Sequence, residues 1–237
     1  MATDSLARVG RDIVACERCR RLRRWCEEVA DVRVKRFREE EYWGRPVPGF
    51  GDPGARLLVV GLAPGAHGAN RTGRVFTGDR SGDFLFAALH RAGFASQAAS
   101  VSRNDGLILR DCYVAPLARC APPANKPTSA ELDHCSEYLL REWRLLRRVR
   151  AVLALGKMAM DGAVALFRKS GRLPPRPALS FGHGVEHSIG DGLVLFASYH
   201  PSQQNTFTGR LTPAGFDAVL HRIRLHLDGP VISRSAS

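Results

Sequence analysis

Lysine is scarce in this chain: four lysines stand against 31 arginines. Acid is scarce as well, with 23 Asp and Glu against 35 basic residues and a net charge of +12. That imbalance argues for a polyanionic partner, nucleic acid ahead of a merely solvated basic surface. The arginine bias has genomic base composition as a rival source. No apolar run approaches the roughly 20 residues that a bilayer span requires. The first residues, MATDSLARVGRDIVACERC, contain no apolar segment before a small-residue cleavage site, which argues against a secretory signal. These absences predict a soluble, cytoplasmic protein. At 237 residues the length suits one domain with a substantial core. We expect that domain over 1–229, with a helical N-terminal segment to about 45 and a flexible tail over 230–237.

Six cysteines are present. In a reducing compartment paired cysteines bind metal or serve redox chemistry more often than they form disulfides. Cys16 and Cys19 form a C-x2-C pair, and Cys120 and Cys135 lie far downstream with 14 residues between them. Cys26 and Cys112 read as ordinary buried or half-buried thiols. The second pair has no common zinc spacing, so spacing alone leaves zinc and iron–sulfur both open.

Continuous apolar stretches alternate with helical ones. RLLVVG (56–61), DCYVAPLA (111–118), AVLALG (151–156) and GLVLFASY (192–199) read as buried strands. Between and after them, 83–94, 128–146, 157–167 and a segment opening at Thr212 and Pro213 read as helices. Thr128 with Glu131 makes a capping box, and Thr212 with Pro213 fits the N-cap and N1 positions. A charged region over 5–42 reads as helical, and FGHGVEHSIGDG (181–192) as a polar hairpin. Strands apolar on both faces predict an α/β fold, a three-layer αβα sandwich around a mainly parallel four-stranded sheet. Ligands of such sheets bind beyond the carboxyl ends of the strands. The site candidates are therefore 62–80, 119–127 and 200–211.

The first of these segments lies within GLAPGAHGANRTGRVFTGDRSG (61–82), which holds six glycines in 22 residues after a buried strand. Glycine there lets a ligand approach the backbone closely. Within this stretch no GK[ST] completes a phosphate loop and no G-x-G-x-x-G marks a dinucleotide site. It contributes Phe76 and Asp79, with Ser81 as the expected N-cap of the next helix. The second segment contributes Asn125, the third His200, Ser202 and Arg210. No serine–histidine–acid series stands at an obvious spacing, and no two carboxylates converge. Arg71, Arg74 and Arg80 fit a phosphate-contacting rim. His67 reads as a solvated loop residue, and His183 with His187 as surface hairpin residues.

These stretches carry a resemblance. GLAPGAHGANRTGRVFTGDRSG, HPSQQNTFTGRLT (200–212) and the C-x2-C…C-x14-C arrangement resemble the uracil-DNA glycosylase superfamily, and more closely its iron–sulfur family 5. The likeness runs from Cys16 to about Leu227. Family 4 has a GEAPG-like first motif, whereas this chain has GLAPG with Leu62. Family 4 also places a uracil-reading asparagine in a TNVVKC-like segment, where this chain has VAPLARC with Pro116. Both departures follow family 5 and imply a wider base range than uracil alone.

The resemblance implies a DNA repair glycosylase acting on double-stranded DNA as a monomer. It would excise uracil, and also hypoxanthine, xanthine and etheno-cytosine, leaving an abasic site. Such an enzyme flips its base into a pocket. By family analogy Phe76 stacks on the base, while Asp79 stabilises the oxocarbenium-like sugar or orients water. His200 donates to the base oxygen, and Asn125 helps bind the base or place water. Gly61, Ala63 and Gly65 admit the nucleotide, and Ser202 contacts phosphate. Leu211 with Arg210 is the candidate wedge and gap filler. Cys16, Cys19, Cys120 and Cys135 would hold a structural [4Fe–4S] cluster. Two rival readings are a non-catalytic iron–sulfur nucleic-acid-binding module and a zinc-stabilised nucleotide hydrolase.

Overall fold

Residues 4–176 and 178–229 are described by a computed structural model; the tail expected over 230–237 lies outside them. The N-terminal region is two helices, α1 (Leu6–Val14) and α2 (Arg20–Val32), rather than one helical stretch. The break between them contains Cys16 and Cys19. Helix α1 is capped by Ser5, whose side chain accepts from the Arg8 N–H. Its Val9 and Ile13, one turn apart on one face, are fully buried and pack with Tyr138. A single 3-10 turn, Lys35–Phe37, then leads to the sheet.

In chain order the remaining elements are β1 (Phe50–Gly51), β2 (Leu57–Gly61), the one-turn α3 (Ala69–Thr72), α4 (Arg80–Arg91), β3 (Cys112–Pro116) and α5 (Ser129–Leu145). They continue with β4 (Ala151–Leu155), α6 (Lys157–Lys169), β5 (Glu186–Gly190), β6 (Leu193–Ser198), the short α7 (Gln203–Phe207) and α8 (Pro213–Asp228). The four expected strands are there as a parallel core, β3-β2-β4-β6. Two short antiparallel strands extend its edges, so the sheet has six strands instead of four. Strand β5 is the first arm of the expected polar hairpin, and it is mostly exposed because it is an edge. Thr128 and Glu131 close a complete capping box, and Thr212 caps α8 through the Gly215 N–H with Pro213 next.

Side chains alternate across the sheet, as strand geometry requires. Leu57 and Val59 face one layer, with Phe86 and Leu89 of α4 and Leu220 and Ile223 of α8. Leu58 and Val60 face the other, with Leu139 of α5 and Ala163 and Phe167 of α6. Burying each such large apolar side chain contributes about 1.5–3 kcal/mol, which is why the strands read as unbroken apolar runs. Among the described residues no helix is long and apolar enough to cross a membrane. The chain leaves β2 to β3 on one side and to β4 on the other. That reversal opens a crevice at the carboxyl ends of the strands, where ligands of such sheets sit.

Candidate active site

A cavity of about 720 Å³ occupies that crevice. All three candidate segments reach it: Ala63, Gly65, Phe76 and Asp79 from the loop after β2, Asn125 from the loop after β3, and His200 and Ser202 after β6. Residues far apart in sequence are thus brought to one space by parallel strands ending at one edge.

The loop after β2 is built around Asp79. One carboxylate oxygen accepts the Gly82 N–H at 2.9 Å and makes Asp79, not the expected Ser81, the N-cap of α4. Helix α4 accordingly begins at Arg80, three residues earlier than expected. Tertiary burial of Asp79 and its extended backbone select it as the cap. The other oxygen presses on Gly68, where a Cβ would lie 2.0 Å from it. This contact is the reason for a glycine at 68. Burial raises the Asp79 pKa above the ordinary carboxylate value, against the lowering effect of the Gly82 and Ser81 N–H groups.

Phe76 sits in the left-handed backbone region, φ 51°, which is uncommon for a bulky residue. Its ring packs against Gly61, where a Cβ would lie 2.7 Å from the ring. The strained position is held from beneath. Arg74 donates to Thr77 Oγ1 at 2.9 Å and to Ser100 Oγ at 2.8 Å, and pairs with Asp105. Arg71 donates to the backbone oxygens of His67 and Gly78 and pairs with Glu40. Arg71 and Arg74 are buried. Both are internal props of the loop rather than phosphate-contacting residues, because their guanidiniums are buried and engaged by acceptors within the protein. Arg80 alone of the three is exposed.

His200 follows β6, its carbonyl accepting from Asn205 Nδ2 at 2.8 Å. Its ring lies 6.0 Å from the Phe76 ring, tilted by 32°. Burial pushes the His200 pKa down to about 4, so at neutral pH it is a neutral imidazole with an N–H to donate. His67, read as solvated, instead lines the cavity and meets Tyr42 Oη through Nδ1 at 3.1 Å. Arg36 and Phe37 also line it. They come from the 3-10 turn after α2, and no local signal marks them. Asn125 stands exposed at the mouth in a left-handed turn.

Two expectations for the third segment divide. Arg210 is exposed and stacks over Tyr199 at 4.3 Å. Leu211 is 1% exposed and belongs to the core with Phe216 and Leu220. The wedge assignment of Leu211 is therefore corrected: its side chain would have to leave the core to enter a duplex.

The cysteines gather between the N-terminal helices and α5. Cys120 and Cys135 are buried, and Cys16 and Cys19 are partly so. Burial first, then Cys135, raises the Cys19 thiol to about 11. Cys135 is raised by burial, with Cys16 adding to it. Cys120 is raised through its hydrogen bond with Cys26, then by burial. Cys26, read as an ordinary buried thiol, thus touches a candidate ligand. Among the described residues no three Cys, His, Asp or Glu side chains converge closely enough for a single metal ion. Cys135 lies within electrostatic reach of Cys16, Cys19 and Cys120, a four-thiol donor set of the kind that holds an iron–sulfur cluster.

A sequence profile described as "Uracil DNA glycosylase superfamily" matches residues 48–224. The chain is 52% identical over 213 residues to a type-5 uracil-DNA glycosylase of Mycobacterium tuberculosis, covering 90% of this chain and 78% of that protein. It is 50% identical over 210 residues to a type-5 uracil-DNA glycosylase of Thermus thermophilus, covering 88% and 92%. A type-4 uracil-DNA glycosylase of Pyrobaculum aerophilum is 30% identical over 164 residues, covering 68% and 74%.

Proposed function

The chain belongs to the uracil DNA glycosylase superfamily, and on that premise we propose that it flips uracil out of double-stranded DNA and hydrolyses its N-glycosidic bond. The observation that carries this reading is the meeting of Asp79 and His200, from motifs 121 positions apart by residue number, in one cavity floored by Phe76. The flipped base stacks on Phe76. Asp79 faces the sugar and, as the carboxylate, stabilises its positive charge or orients the attacking water. Neutral His200 donates to the base oxygen as negative charge collects there, and Asn125 binds the base or places the water. Gly61, Ala63 and Gly65 give the nucleotide room, and Ser202 meets a phosphate. Loss of the base leaves an abasic site.

The base range extends to hypoxanthine, xanthine and etheno-cytosine. Pro116 ends β3 at the position where family 4 places its uracil-reading asparagine, and a site without that amide discriminates weakly. The test is a gel-based cleavage panel on duplexes carrying each base. Uracil is cut fastest or near fastest, and at least one other base is cut at a measurable rate. Cleavage of uracil alone overturns the wider range, and cleavage of none overturns the function.

Cys16, Cys19, Cys120 and Cys135 hold a [4Fe–4S] cluster that ties the N-terminal segment to the main domain and takes no part in the reaction. Arg18, Arg21 and Arg23 lie within electrostatic reach of Cys135, Cys19 and Cys120 respectively; Arg21 also pairs with Glu131 of α5 at 2.7 Å. Anaerobically purified protein contains iron and sulfide and absorbs broadly at the blue end of the visible range. Cys120→Ser and Cys135→Ser lose iron and fold together. Cys26→Ser and Cys112→Ser keep the iron, although Cys26 touches Cys120. Stoichiometric zinc without iron in that preparation overturns the assignment.

A further inference from the structure

Leu211 is buried, so the device that holds a duplex open after base flipping must lie elsewhere. Phe207 is 79% exposed, the most exposed of the large apolar side chains among the described residues. It ends α7, the short helix that follows His200 and Ser202. Gln203 and Gln204 of the same helix line the mouth of the cavity. Phe207 lies four and three residues further on, so it shares their helix face at a Cβ separation of about 5–6 Å. The ring therefore stands beside the cavity mouth at a distance comparable to one or two steps of the roughly 3.4 Å rise along a DNA strand.

The segment is anchored at its base and free at its tip. Asn205 holds the His200 carbonyl, and its own carbonyl accepts the Leu211 N–H at 2.9 Å. Leu211 plugs the core, and Arg210 lies on Tyr199. Gln203, Gln204 and residues 207–210 are exposed. Single exposed apolar side chains are common on protein surfaces; what marks Phe207 is its place beside the cavity mouth of a strongly basic protein. An aromatic or apolar side chain driven between base steps is the device by which proteins hold such gaps in DNA. We infer that Phe207 is the wedge: it enters the stack at the position vacated by the flipped nucleotide, with Arg210 alongside as the cationic neighbour of the phosphates. This inference rests on the glycosylase reading above and names the residue that makes it efficient on paired DNA.

The experiment compares single-turnover cleavage of uracil in a fully paired duplex with cleavage of uracil inside a bubble of mismatched bases, where the stack is already broken. Because Phe207 is outside the core, Phe207→Ala folds normally. Base–aromatic stacking sets the scale, so the variant loses roughly 5- to 150-fold on paired uracil and little on the bubble. Phe207→Trp restores most of the paired rate. An equal loss on both substrates, or none on either, overturns the wedge while leaving the glycosylase reading intact. Absence of cleavage by the parent protein on both substrates overturns the glycosylase reading first.

Discussion

Asp79→Asn folds, keeps its iron, binds uracil-containing duplex and loses about 10²–10⁴-fold in single-turnover cleavage. The variant is chosen for what it preserves. Asp79 has two tasks, capping α4 through the Gly82 N–H and presenting its second oxygen to the cavity beside Gly68. Asparagine is as good an N-cap as aspartate, so the helix start and the packing on Gly68 survive. What disappears is the negative charge and the capacity to take a proton. Asp79→Ala would remove the cap as well and mix a folding defect with the chemistry. The pH profile separates the two roles further. Burial raises the Asp79 pKa, so activity falls on acidification in a range above that of an ordinary carboxylate. His200, with its pKa near 4, must also stay neutral, and its protonation adds to the loss. The Asp79→Asn variant lacks the step that belongs to Asp79. His200→Ala slows cleavage most for bases whose leaving anion is poorly stabilised on its own. Parental cleavage rates in Asp79→Asn would transfer the chemistry to leaving-group stabilisation by His200.

Glu142→Ala costs about 3–5 kcal/mol of stability, the penalty for orphaning a buried charge. Arg119 and Glu142 are each 1% exposed and make a bidentate pair between the loop after β3 and helix α5. Tyr113 Oη donates to the same carboxylate at 3.2 Å. Removing Glu142 leaves a guanidinium in the interior, where its Nε already has no partner. Total stabilities of domains run to about 5–15 kcal/mol, so the loss is a large fraction of the whole. For a chain of this size it lowers the melting midpoint by roughly 6–20 °C. Arg119 directly precedes Cys120, so iron content falls with stability. Thermal unfolding followed by circular dichroism, with iron assay on the same samples, checks both. A midpoint within two or so degrees of the parent, given about 2–4 °C per kcal/mol, would show that the pair carries no such role.

Much of this protein is legible in its sequence. Strands β2, β3, β4 and β6 are runs of apolar residues because both of their faces are covered, and that pattern is local. The caps at Thr128 and Thr212 were equally local, since a cap and the N–H groups it satisfies lie within one turn. The candidate segments followed from the strand ends, and Asp79, Phe76, Asn125 and His200 do share a cavity.

Tertiary structure decided whatever depends on burial by distant partners. Arg71 and Arg74 look like surface bases in sequence, yet the His67 and Gly78 carbonyls hold the first and Asp105 the second inside the loop as props for Phe76. Arg36 and Phe37 join the cavity from the N-terminal segment, across a gap that no periodicity spans. Leu211 and Phe207 are both apolar residues in one polar loop, and sequence cannot say which is covered. The core takes Leu211 and leaves Phe207 in solvent. Pattern and capping act over a few residues and can be read along the chain. Exposure is summed over everything that packs against a side chain, and only the folded arrangement performs that sum.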